Sequence, residues 1–174
     1  MKSLLPFSIP VKGLRPGVHE FDFQIDRRFF KAFEASPVND GQVSVRLLFE
    51  KRPGLYVLSF HLEGMVKTEC DRCLALIDLP ISADQQLLVK FSEENEAEEA
   101  DVVYINPEDS HLNVAQFIYE FIILALPMIK VYDCENDENP KCDWEMLKYL
   151  DGENQDQEAS NPIWDALKDF QADN

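Results

Sequence analysis

The residues of this chain best suited to chemistry are its four cysteines, two of which stand three positions apart in Thr68-Glu69-Cys70-Asp71-Arg72-Cys73-Leu74. A Cys-x-x-Cys turn offers two thiolates to one metal ion, and a second pair from elsewhere closes the tetrahedral site that zinc prefers. Cys134 and Cys142 are the second pair, far downstream and separated by a seven-residue gap. A site using all four would fold the C-terminal third back onto the middle of the chain. The expectation is therefore a zinc site of Cys70, Cys73, Cys134 and Cys142, with no open position and a structural role. It would tie the polar segment 131–142 to the body and make metal binding part of folding. Other readings stay open. A thiol redox role for Cys70 and Cys73 would want a strand-to-helix turn in a βαβ unit, and His111 could stand in for one cysteine as the fourth ligand. In the plainest case Cys142 only precedes a helix, Cys134 is a loop thiol and the first pair is a packed remnant.

Little else in the sequence suggests catalysis. Its six glycines are scattered and form neither GxGxxG nor GxxxxGK[ST], so no phosphate-cradling loop is expected. His19, His61 and His111 are isolated from one another, and no catalytic residue or organic cofactor site is expected. At 174 residues the chain is long enough for one well-buried core. We place one α+β domain at 1–150 and an acidic linker with a short helix at 151–174. No stretch is apolar enough for a membrane span, and MKSLLPFSIPVKG lacks a signal-like apolar region. A cytoplasmic location follows, and in a reducing compartment cysteines are thiols or metal ligands rather than a disulfide framework.

The net charge of −17 is unevenly spread. Residues 1–67 hold ten Lys+Arg against seven Asp+Glu, net +3, which leaves six against twenty-six, net −20, in residues 68–174. Such an acidic half repels a phosphate backbone and attracts basic partners. Any RNA contact would be limited to the N-terminal half, where Arg15, Arg27, Arg28, Lys31, Arg46, Lys51 and Arg52 are available, although scattered cations are commonly just surface.

Several elements are needed to position the cysteines. Val18–Ile25 alternates like a half-buried strand, and Asp26 caps a short helix in RRFFKAFEA whose phenylalanines face the core. Val43–Glu50 and Leu55–Leu62 alternate on either side of Pro53-Gly54, the pattern of an antiparallel hairpin, and Met65–Glu69 extends it to Cys70. Leu74–Ile81 and Gln86–Phe91 read as two further strands broken near Pro80–Asp84, followed by a short strand at Val102–Ile105. EENEAEEAD, residues 93–101, is too poor in apolar residues to order itself and reads as a solvated loop or a patch for a basic protein. Asn113–Leu126 is the long helix, with Asn113 as cap, Gln116 in capping-box position and Pro127 as the stop. Its end is apolar nearly all round and must be covered by the sheet or a partner. Asp143 caps a second helix, residues 152–160 should be exposed and weakly ordered, and Pro162–Phe170 regains helical spacing, either docking back or serving as a ligand for a partner. The fold expected is α+β: an antiparallel meander or partial barrel packed by one long helix, then a polar cysteine-bearing segment and a helical tail.

Read together, CDRCL, the acidic loop, NVAQFIYEFIILALP, KCDWEML and NPIWDALK resemble the YceD family of large-ribosomal-RNA-subunit accumulation proteins, in the form found in Bacteroidetes-like bacteria. The resemblance runs from about IPVKGLRPGVHEFDF to the C-terminus. It implies a cytoplasmic bacterial protein that supports large-subunit ribosomal RNA levels in ribosome biogenesis, of a kind often described as metal-binding and nucleic-acid-binding on prediction alone, and it brings no catalytic residues. Many relatives carry two compact Cys-x-x-Cys pairs; Cys70 and Cys73 match the first, whereas the segment with Cys134 and Cys142 departs from the second. The leading expectation is a non-enzymatic assembly factor whose acidic half holds a basic ribosomal protein or assembly intermediate. The alternatives are an RNA-binding module using the N-terminal cations and a thiol redox protein using Cys70 and Cys73.

Overall fold

Alternation of apolar and polar side chains along four consecutive strands builds the body of the protein, whose computed structural model describes residues 2–34, 36–92, 102–133 and 141–156. After a 3₁₀ turn at Lys2–Phe7 come β1 (Ser8–Pro10), β2 (Gly17–Ile25), α1 (Arg27–Phe30), β3 (Asp40–Arg52), β4 (Leu55–Glu69) and β5 (Leu76–Phe91). The chain continues with β6 (Val102–Ile105), β7 (His111–Asn113), α2 (Ala115–Leu124) and α3 (Trp144–Asp156). The main sheet has the order β2-β3-β4-β5-β6, and β1 pairs with β7 in a separate two-stranded ladder.

The inward row of β3, Val43, Val45, Leu47 and Phe49, is fully buried, and so are Leu58, Phe60 and Leu62 on β4. Burying a side chain of this size contributes about 1.5–3 kcal/mol, so this double row dominates the stability of the body. The turn between them is the Pro53-Gly54 corner, where Gly54 has φ 73°, a conformation that a side chain resists. Asp26 caps α1 as expected, its Oδ1 accepting from the backbone N–H of Arg28 at 2.8 Å and of Phe29 at 3.3 Å. Only four residues of RRFFKAFEA are helical, enough to bury Phe29 and Phe30.

The helix over the sheet is shorter than the sequence suggests. α2 has ten residues, beginning at Ala115 because Asn113 belongs to β7, where it pairs with Ser8. Asn113 still serves the helix start, accepting from the Ala115 N–H at 2.9 Å, while Gln116 bonds Glu120 four residues on and forms no capping box. Ala115, Ile118 and Ile122 are buried against the body, with Phe121 edge-on to Phe60 at 5.1 Å and Tyr119 stacked on Phe33 at 4.0 Å. The N-terminal arm completes the layer, burying Phe7, Ile9 and Val11 in the same core.

Two further expectations are corrected. The break foreseen near Pro80–Asp84 is absent, since β5 pairs with β4 continuously from Leu76 to Lys90. Among the described residues β6 pairs only with Leu88 to Phe91, so none of them pairs with the far edge of β5 at Pro80, and an edge is where a strand tolerates proline. β6 is parallel to β5, so the sheet is mixed rather than purely antiparallel. Farther on, residues 152–156 are helical, part of α3, whereas 93–101 and 157–174 lie outside the described residues.

Candidate functional site

β4 and β5 project together at one end of the sheet, paired as far as Glu69 and Leu76, and the Cys-x-x-Cys turn joins them. Leu74 closes the turn in the left-handed region at φ 61°, a conformation that usually selects glycine or asparagine. The Leu74 N–H donates to the Cys70 carbonyl at 2.9 Å, and the Cys70 N–H donates to the Ala75 carbonyl at 2.9 Å. Held this way, Cys70 and Cys73 are both almost wholly buried, with free thiols. Burial pushes the Cys70 thiol up. The backbone N–H groups of Cys73 and Arg72 and the Cys73 thiol outweigh it and hold Cys70 below its ordinary value, against a smaller upward push from Asp71. Such an environment favours a thiolate, the form that binds metal.

Two more segments reach this turn. In the strap that follows α2, the Asp71 N–H donates to the Lys130 carbonyl at 2.7 Å and Asp71 Oδ2 accepts from the Lys130 N–H at 2.7 Å. The Lys130 ammonium lies 2.8 Å from Asp71 Oδ1, and this pairing holds the Asp71 carboxyl below its usual range. The second segment arrives through Lys141, whose Nζ lies 2.6 Å from Asp78 on β5 and holds that carboxyl down likewise. Asp143 then caps α3, accepting from the Glu145 N–H at 3.0 Å and the Met146 N–H at 3.2 Å. The result is a second small core, in which Cys70, Cys73, Ile77, Cys142 and Leu147 are buried together with Ala75 and Tyr132 packed on them.

The structure thus brings three of the four expected ligands into one apolar cluster, and Cys134 lies outside the described residues. Cys142 is disulfide-bonded, unlike the two turn cysteines. Among the described residues no three His, Cys, Asp or Glu side chains form a set disposed to hold a metal ion. His111 is not a member of the cluster: it sits on β7 opposite Pro10, its ring bonded to Ser110. No βαβ unit surrounds Cys70 and Cys73, because the strands on either side form an antiparallel pair.

Three of the N-terminal cations are already engaged. Arg46 lies 3.0 Å from Glu20, Arg52 forks onto Glu50, and Lys51 donates to the carbonyls of Val11 and Leu14. Arg15, just before β2, and Arg27, Arg28 and Lys31, at α1 and its exit turn, remain exposed. The cleft beside the turn, about 510 Å³, is lined by Arg27, Lys67 and Lys130 but equally by Asp40, Glu69 and Asp71, so it offers no net charge to an anion. Sequence reasoning missed Lys130 and Leu74, because neither a strap bond across the fold nor a left-handed leucine has a local pattern. No helix among the described residues is long and apolar enough to cross a membrane.

Comparison with known proteins gives one match. A family model described as large ribosomal RNA subunit accumulation protein YceD matches residues 58–171. No curated protein and no solved structure matches the chain. The match begins within β4 and takes in the cysteine turn, the strap and α3, so the elements that build the second core are family elements, and the chain belongs to the YceD family.

Proposed function

We propose that this chain is a non-enzymatic, cytoplasmic factor in ribosome biogenesis that supports accumulation of large-subunit ribosomal RNA by holding a basic ribosomal protein or a basic assembly intermediate. Membership of a family described as large ribosomal RNA subunit accumulation proteins is the observation that carries the reading. The charge of the chain supports the kind of partner: net −20 over residues 68–174 disfavours bare RNA and favours a cationic protein. RNA contact in this reading is limited to the N-terminal half, where Arg15, Arg27, Arg28 and Lys31 are exposed. Deleting the gene in its host should lower large-subunit relative to small-subunit ribosomal RNA, with the ratio restored by the intact chain. An unchanged ratio would reject the reading. Purification at about 150 mM salt, where the screening length is about 8 Å, should retain basic ribosomal protein after nuclease treatment.

A structural zinc ion belongs to the same proposal. The donor chemistry is suitable, since Cys70 and Cys73 present buried sulfurs from a tight turn and Cys142 is packed in the same cluster. With the Cys142 disulfide open, as in a reducing compartment, Cys134 would complete the set. Zinc bound there would supply a cross-link between the turn and the start of α3 and nothing catalytic. Metal analysis of reduced protein purified without chelator should find about one zinc per chain, with sulfurs at about 2.3 Å. A metal-free reduced protein would refute it.

A further inference from the structure

Exposed apolar side chains are not spread evenly over this molecule. Of the thirteen large hydrophobics exposed among the described residues, eight come from the cysteine turn with the start of β5, from the strap, and from α3. These three segments meet at the second core. Leu74 and Leu76 flank the turn, while Met128 and Ile129 stand 97% and 73% exposed beside the strap residue that grips Asp71. On α3 the inward residue is Leu147, and Trp144 and Leu150, one turn to either side of it, are more than a third exposed. A side chain left in water at this size forgoes about 1.5–3 kcal/mol of burial, and such clustering marks interaction surfaces.

Charge selects the occupant. Beyond the Asp71–Lys130 and Asp78–Lys141 pairs, the described segments that carry the rim hold Glu69, Asp133, Asp143 and Glu145 against Arg72 and Lys148 and are net acidic. The tail 157–174, the apolar segment nearest in sequence, is itself net −3, and a second copy would bring the same acidic surface. Both would meet like charge across the contact, whereas a cationic amphipathic segment would meet opposite charge around apolar anchors.

We infer that the apolar rim of the cysteine core, formed by Leu74, Leu76, Met128, Ile129, Trp144 and Leu150, is the docking surface for a basic amphipathic protein segment. The inference rests on the proposed function and gives the partner a place. Met128, Ile129 and Trp144 are exposed and lie outside the buried cluster of Cys70, Cys73, Ile77, Cys142 and Leu147, so their polar replacement leaves that core in place.

The test uses the full reduced chain and a labelled synthetic helix of about twenty residues with one leucine face and one lysine and arginine face. Its controls are a scrambled peptide of the same composition and an acidic counterpart. Anisotropy titration should show binding of the basic amphipath alone, weakened by salt. The triple substitution Met128→Ser, Ile129→Ser, Trp144→Ser should weaken it about tenfold or more, while Val18→Ser and Leu48→Ser, far from the rim, should not. Equal binding by the scrambled peptide, or by the triple variant, would overturn the inference. Binding that appears only after Trp164→Ser and Phe170→Ser would overturn it by making the tail the occupant, as would self-association that the triple substitution abolishes without any peptide binding. In the host, a triple variant that fully restores the ribosomal RNA ratio overturns the docking surface and leaves the proposed function standing. A deletion without any ribosomal RNA defect overturns the proposed function, and the titration still decides the surface.

Discussion

The middle of the sheet and its cysteine end are built from the same two strands and held by different physics. Around Val45, Leu47, Leu58 and Phe60 the ladder is buried with residues of α2 and the N-terminal arm in one shared core. At the far end of β4 and β5 the core contains five buried residues, three of them cysteines. Among the described residues, two ion pairs and several backbone bonds help to attach its supporting segments. The body is stabilised by area and the cysteine end by specific bonds. The two should therefore fail separately, the smaller one first.

The largest effect should come from the body. Phe60→Ala removes a fully buried ring in contact with Phe121 and should cost about 3–5 kcal/mol, read as a lower urea midpoint for the whole transition. A loss below 1 kcal/mol, on the order of a surface substitution, would mean the double row is not the dominant core. Next is Gly64→Ala. A Cβ there would run into the Gln42 carbonyl and the Val43 Cα on β3, and both are backbone of a paired strand that cannot yield. Overpacking of this kind costs about 1–3 kcal/mol, and a variant as stable as the parent would show that β3 moves aside.

Cys70→Ser should act on the other region. It should lower the bound zinc below half an equivalent and speed amide exchange at Trp144–Leu150, with exchange in β3 unchanged. Equal acceleration in β3 would erase the distinction between the two regions. Acid should do the same without mutation. The carboxyls of Asp71 and Asp78 are held down in the folded state, so their pairs stabilise the fold above the unfolded aspartate value of about 3.9. That contribution is lost as pH falls through the folded values. Exchange at the strap and at the start of α3 should therefore rise below that pH before β3 opens, and Asp71→Asn should remove much of the dependence at the strap. A single acid transition shared by both regions would contradict this. The smallest effect is expected for Arg46→Ala, where both carboxylate partners are exposed; the unfolding free energy from urea titration should change by less than about 0.5 kcal/mol.

Legibility in the sequence follows the same division. Val43 to Phe49, the Pro53-Gly54 corner and the caps at Asp26 and Asp143 could be read because each is a local pattern with a local cause. Pro80 misled because a proline inside a strand is tolerated where its edge is unpaired, and among the described residues β6 pairs only from Leu88 onward, a fact about a neighbour. The direction of β6 was hidden too, since four apolar residues have the same period whichever way they run. Asn113 was rightly read as serving a helix start, yet its place in β7 depends on Ser8, over a hundred residues away. Cys70 and Cys73 announced the site by spacing. That Cys142 joins them depends on Lys141 and Leu147 finding β5 and the turn, which no window of sequence contains.

The pairing of β1 with β7 has a consequence for synthesis. β2, β3, β4 and β5 are adjacent in space in the order in which they are made, so each can add to the last as it leaves the ribosome. Ser8–Pro10 emerges before all of them but finds its partner only at His111–Asn113. For most of translation, then, the arm carrying Phe7, Ile9 and Val11 has no ladder to join, and one face of the growing sheet stays greasy. The arm and α2 meet that face in the same late step, since the Phe7 carbonyl accepts from the Val114 N–H just as the helix begins. A nascent chain that stalls before residue 114 is therefore the form of this protein most in need of a chaperone.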